Sequence, residues 1–380
     1  MPDTGHPMTL EQAAENGRDN NLNLIRFVAA FAVLASHAWP IALGPAAVEP
    51  LRAFWGHSLG GIAVIVFFAL SGFLITGSWA RRPDAAEFTA ARALRLLPGL
   101  AVVVTLTALL LGPAMTVLPL AEYLTDPATP AYVLRNLSLA FLQYPLPGVF
   151  EGNPYGPAVN GSLWTLFHEA LCYALVLALG LAGGLATRRR ATLALMVYAG
   201  LYILTALPDV AAGLSPRAEA FRALSLPFVL GVAGWVWRAA IPLRWDLAVG
   251  ASALALVARG TPLATEALVL ALSYGVAVLA WRPGGAIRGF NRLGDYSYGI
   301  YILAFPIQQT AVALLGPMTP ALNIALAAPV TLVLAIASWH LVERPALARK
   351  TALAAALTAA AASLRPSERM RRFRSTPKKR

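Results

Sequence analysis

Apolar segments of membrane-spanning length recur along this chain, and they limit what it can fold into more than any other feature. They fall at about 22–43, 59–79, 96–112, 162–182, 191–207, 221–238, 245–258, 263–281, 295–316 and 320–341, the seventh being short. A helix needs about 20 mostly apolar residues to cross the hydrocarbon core of a bilayer. Within lipid, only helices and closed barrels satisfy all their backbone polar groups. The pattern therefore predicts an all-α polytopic membrane protein with about ten transmembrane helices. Composition agrees: of 380 residues, 58% are hydrophobic and only 13% charged, too few charges to build a water-facing surface. Cys172 is the only cysteine, which excludes an intrachain disulfide and a cysteine-rich metal site.

The net charge is +12, and arginine supplies nearly all of the 30 basic residues. A strongly basic chain can signal nucleic acid, so the placement of the arginines has to decide. With a cytoplasmic N-terminus, the loops after the second, fourth, sixth and eighth helices face the cytoplasm. They hold Arg81, Arg82, Arg92 and Arg95, then Arg188, Arg189 and Arg190, then Arg238 and Arg244, then Arg282, Arg288 and Arg292. The opposite loops carry only Arg52, Arg135, Arg217 and Arg259. That bias follows the positive-inside rule. It places both termini in the cytoplasm and accounts for the charge without nucleic acid.

Residues 1–20 read as a polar cytoplasmic tail, 21–345 as the membrane domain, and 346–380 as a basic cytoplasmic tail. The Ala-rich stretch 346–363 reads as a surface or cytoplasmic helix rather than an eleventh span. The last fifteen residues read as disordered against anionic headgroups. The first helix is too long, and too polar at Arg26 and His37, for a cleaved signal peptide. Residues 113–161, rich in Pro, Gly, Asn and Tyr, form the longest outer loop and a candidate lid or lip over a site.

Ionisable residues inside a membrane are expensive, which makes them the first functional candidates. Arg26 and His37 lie eleven residues apart on the first helix, close to three turns, so they share a face. Arg26 alone could snorkel to the headgroups, and His37 alone could bond a neighbouring helix. The shared face favours a common groove. Ser71-Gly72 interrupts the second helix, as a small-residue notch for helix packing or for a thin ligand. Arg92 and Arg95, three apart at the start of the third helix, are either membrane-surface anchors or a phosphate clamp. Glu169 lies at a depth similar to that of His37 and could orient its ring; its other reading is a structural bond between helices. His168 points elsewhere. The tyrosines of Asp295-Tyr296-Ser297-Tyr298-Gly299-Ile300-Tyr301 read as an interfacial belt, and Glu343-Arg344-Pro345 as a helix terminator with a charge pair. No Walker loop, dinucleotide fingerprint, zinc spacing or Gly-x-Ser-x-Gly elbow is present, and no metal site is expected.

Taken in order, these segments resemble the acyltransferase-3 family of bacterial inner-membrane O-acyltransferases, which modify O-antigens, exopolysaccharides, Nod factors and macrolides. The matching residues are Arg26 and His37; Phe67, Phe68, Ser71 and Gly72; Arg92 and Arg95; the segment NGSLWTLFHE ending in Glu169; Tyr296-Ser297-Tyr298; and Glu343 with Pro345. The resemblance covers roughly residues 20–346. It implies a multi-pass inner-membrane enzyme with no permanently bound cofactor, an acyl-CoA donor (acetyl-CoA first) on the cytoplasmic side, and a carbohydrate or glycolipid hydroxyl as acceptor. Under it, His37, Glu169 and Arg26 form the catalytic set, with Arg92, Arg95, Ser71 and Gly72 on the donor. His37 would act as general base or as acyl carrier. Succinyl or a longer acyl group fits the same residues. The rival readings are a transporter or flippase for a lipid-linked saccharide, which would need no phosphate clamp beside a groove histidine, and a non-catalytic partner of a polysaccharide machine.

Overall fold

The structure, a computed structural model, describes residues 8–15, 17 and 19–363. Ten helices occupy the ten apolar segments: α1 Leu22–Leu43, α2 Leu59–Arg81, α3 Ala85–Leu106, α4 Trp164–Leu181, α5 Arg188–Leu204, α6 Pro216–Val236, α7 Trp245–Val257, α8 Ala264–Trp281, α9 Ser297–Leu315 and α10 Pro320–Ser338. An eleventh, α11 Lys350–Ser363, packs along α3. Among the described residues eight helices, with α3 extended to Met115, α4 taken from Gly161 and α10 extended to Ala348, are long and apolar enough to cross a membrane. The two that fall short are α5, with 17 residues, and α7, with 13. At about 1.5 Å per residue α7 spans about 20 Å, less than a hydrocarbon core of about 30 Å. Among the described residues the only β-pairing consists of isolated bridges. The basic segment 365–380 and residues 1–7 lie outside the described residues.

α3 begins eleven residues before the third apolar segment. Asp84 caps it by accepting from the Glu87 backbone N–H at 2.7 Å, a side-chain cap of the kind that starts helices. Arg92 and Arg95, expected at the start of this helix, therefore sit about two and three turns inside it. Both α3 and α10 pass through a π turn, at Thr107–Leu111 and Trp339–Glu343. Each turn lies just ahead of a proline, Pro113 or Pro345. A proline lacks an N–H and crowds the preceding turn, and a wider turn carries the helix past it. The expected terminator at Glu343-Arg344-Pro345 is thus a bulge. The helix resumes over Arg344–Ala348, and the Glu343 side chain turns inward with 1% exposure.

α2 lies at the centre of the bundle, packed against α1, α6 and α8. Where α2 crosses α6, a Cβ on Gly72 would fall 1.9 Å from the Phe228 carbonyl oxygen, and one on Gly231 would fall 2.1 Å from that of Ala69. Facing glycines let the two backbones touch, the usual device for packing helices in lipid. α9 lies against α1 and α10.

Residues 116–160 fold into a cap built on the short helices Leu120–Thr125 and Ala128–Leu137 and the bridges Thr116↔Val149 and Pro145↔Ala158. The Tyr123 hydroxyl donates to the Ala108 carbonyl at 2.6 Å, in the stretch where the π turn disrupts the helical ladder. Asn153 donates to Gln309, and Gln309 donates in turn to the Ala158 carbonyl at 2.8 Å, which ties the cap to α9. At the other end, part of the polar N-terminal segment is folded: Leu10–Glu15 is helical, and Leu10 N–H bonds the Ile241 carbonyl at 2.8 Å.

Candidate active site

The site is built on an ion cluster joining four parts of the chain. Arg26 of α1 and Arg95 of α3 both donate to Asp295 Oδ2, at 2.6 and 2.8 Å. Arg95 also faces Glu343 Oε2 at 3.7 Å. Ser297 Oγ donates to Asp295 Oδ1 at 2.5 Å, and Ser338 Oγ to Glu343 Oε1 at 2.9 Å. Two cations thus meet two anions, and the group is neutral where single charges would be prohibitive. Asp295 lies in the turn before α9. Burial on its own raises its carboxyl, but Arg26, Arg95 and Ser297 outweigh burial and hold it down to about 2.

Above this cluster a cavity of about 420 Å³ runs between α1, α2, α3, α4 and α9. Its walls carry Arg26, Ser71, Arg92, Arg95 and Glu169, five of the seven residues the sequence singled out. Arg92 pairs with no carboxylate among the described residues. Its guanidinium lies 5.9 Å from the ring centroids of both Phe88 and Tyr173, and its Nε is buried without a partner. Glu169 accepts from the Tyr173 hydroxyl one turn further along α4.

The other two residues lie off the cavity wall. Gly72 faces α6 and serves the helix crossing, so the notch is a packing feature there and only Ser71 meets the cavity. His37 is half-buried, with its ring edge-on to Phe305 at 5.3 Å and Nδ1 3.5 Å from Ser162 Oγ. Ser162 is held by the turn that opens α4. Asn160 caps that turn and donates to the Ile302 carbonyl at 2.8 Å. Gly161 leaves room for the Phe305 ring, which a Cβ there would meet at 2.8 Å. The ring-orienting neighbour of His37 is therefore Ser162. No hydrogen bond joins Glu169 to His37 among the described residues. Arg26 lines the cavity bonded to Asp295, and no hydrogen bond joins it to His37 among the described residues.

The cavity and His37 nevertheless approach each other. The inner end of the cavity is walled by Thr165 and Tyr301, whose hydroxyls lie 2.6 Å apart. Ser162 lies one turn from Thr165 and Phe305 one turn from Tyr301, so the two residues against His37 each stand one turn along the chain from a residue of the cavity wall. Tyr301 and Tyr298 are buried parts of this wall, the Tyr298 hydroxyl donating to the Leu96 carbonyl at 2.6 Å. They are not the interfacial belt expected of them. The helix period carried the signal for the tyrosines: Tyr298 and Tyr301 are three apart within α9 and so lie on one face. His168 is buried between backbone carbonyls, near those of Trp164 and Arg217 at 3.1 and 3.3 Å.

A cavity walled by charge-bearing side chains, inside helices long and apolar enough to cross a membrane, marks a multi-pass membrane protein with a ligand site rather than a purely structural bundle. The chain belongs to the acyltransferase-3 family, whose acyltransferase-domain profile matches residues 19–340. It is 29% identical over 341 residues to a protein of Shigella phage Sf6 named O-acetyl transferase, covering 88% of this chain and 98% of that one. It is 28% identical over 371 residues to nodulation protein 10 of Rhizobium leguminosarum bv. viciae, covering 90% and 96%. No solved structure matches the chain.

Proposed function

We propose that the protein is an O-acyltransferase of the bacterial inner membrane. It moves an acetyl group from acetyl-CoA, entering from the cytoplasm, to a hydroxyl of a cell-envelope or exported carbohydrate or glycolipid. The observation that carries this reading is a cavity lined by Arg26, Arg92 and Arg95 and by Thr165 and Tyr301, which stand one turn along their helices from Ser162 and Phe305, the neighbours of His37. The arginine bias supports a cytoplasmic mouth. The phage relative's name supports acetyl transfer to oxygen.

In this reading the pantetheine arm threads past Ser71 and Arg92 and delivers the thioester to Thr165 and Tyr301. In this bonded pair one O–H is spent on the other oxygen, and the hydroxyl that accepts keeps its own proton for the oxygen that gains charge. His37 takes the proton of the acceptor hydroxyl as that oxygen attacks the thioester carbonyl carbon. The carbon–sulfur bond breaks, and the CoA sulfur leaves with the proton.

Purified protein in lipid nanodiscs, given labelled acetyl-CoA and membrane glycolipids, tests the reading. His37→Ala is expected to lower turnover about 10²–10⁴-fold with the fold intact. Near-normal turnover in that variant refutes the mechanism. Saccharide movement across the membrane without acetyl transfer replaces it with a flippase.

A further inference from the structure

In the acyl-CoA reading the pantetheine arm enters the cavity between Ser71 and Arg92, and the nucleotide that follows the arm sits at the mouth. A hollow of about 270 Å³ lies there, and Ser78, Ala91 and Lys350 line both spaces. The hollow adds Arg81, Arg82 and Glu87. Glu87 Oε2 lies 3.1 Å from Arg82 Nη1 and 3.4 Å from Lys350 Nζ. The Arg82 side chain is 72% exposed and that of Lys350 38% exposed, so both can turn to a ligand from water. Two cations pair with the one carboxylate, and Arg81, whose guanidinium lies 5.4 Å from the Trp235 ring centroid, lines the same hollow, so positive charge is in excess beside the opening.

We infer that Arg82 and Lys350, with Arg81 behind them, bind the phosphates of the donor's 3′-phospho-ADP end, and that Glu87 holds the two cations in place until the phosphates take them over. The inference rests on the acyl-CoA reading above and deepens it. Lys350 opens α11, so α11 contributes to the donor site. Arg95, committed to Asp295 and Glu343, is left out of phosphate binding. Phosphate oxygens suit both cation types, the guanidinium through its fork and the ammonium as a point charge.

Adenosine 3′,5′-bisphosphate, titrated calorimetrically into the purified full-length protein, reads the site without turnover. Arg82→Ala and Lys350→Ala are each expected to weaken its binding about tenfold, the effect of one charge-assisted contact. Glu87→Gln is expected to tighten binding, because it frees both cations. In the transfer assay the two cation variants raise KM for acetyl-CoA but leave KM for acetyl-pantetheine, which lacks the nucleotide, unchanged. Unchanged bisphosphate affinity in both cation variants, or weaker binding in Glu87→Gln, overturns the site and makes Glu87 a strut for α11. Failure of the acyl-CoA reading looks different: bisphosphate still binds, but no acetyl-CoA is consumed.

Discussion

Arg92 and Arg95 share a helix face and still have different work. Arg95 is spent on Asp295 and Glu343, whereas Arg92 lies between two rings with its Nε unpartnered. Arg92→Ala is therefore expected to raise KM for acetyl-CoA about tenfold or more, from a lost charge-assisted contact of about 1.5–3 kcal/mol, with a normal thermal midpoint. Arg92→Lys recovers part of this, because charge survives and the fork does not. Arg95→Ala is expected to lower the midpoint instead. Measuring affinity and midpoint for all three in one preparation checks the division of labour; equal behaviour of Arg92→Ala and Arg95→Ala refutes it. The shared face was legible in a spacing of three, but the partners were not, because Asp295 lies 200 residues from Arg95 along the chain. His37 and Glu169 pose the same problem. Their depth can be counted along each helix, whereas the direction each faces depends on how α1 and α4 are turned, which no local pattern records.

Helix cores were readable from hydropathy, while helix ends obeyed chemistry that hydropathy blurs. The start of α3 carries Glu87, Arg92 and Arg95, so an apolar window opens too late. The signal that would have placed it is Asp84 followed three residues later by Glu87, a capping pattern. The proline after Glu343 invites a stop, yet a π turn absorbs it. Packing between elements yields a contrast between two glycines. Gly72→Ala would drive a methyl into the Phe228 backbone at 1.9 Å, whereas Gly250 in α7 has open space around it. Gly72→Ala is expected to destabilise by about 1–3 kcal/mol through overpacking. Gly250→Ala is expected to be neutral or to stabilise by up to about 1 kcal/mol. Thermal midpoints in one detergent compare them, and similar values would mean that α2 and α6 do not approach as closely as described.

Across the whole molecule, the Arg26–Asp295–Arg95–Glu343 cluster ties α1, α3, α10 and the turn before α9 into one unit. Asp295→Asn leaves two arginines short of one anion and is expected to remove about 3–5 kcal/mol at neutral pH. The folded carboxyl is depressed to about 2 against about 3.9 when unfolded. Its contribution is therefore complete above pH 4 and fades as pH falls through about 2. The midpoint gap between wild type and Asp295→Asn should narrow over that interval; a gap unchanged down to pH 2 would place the effect elsewhere. The cluster also bears on how the molecule can move. A carrier that rocks one half against the other must part its halves on every stroke, and here that would strand charges in lipid each time. A catalyst that works at a fixed cavity has no such stroke. For it, these four side chains act as a keel, holding the walls of the cavity in one shape through every turnover.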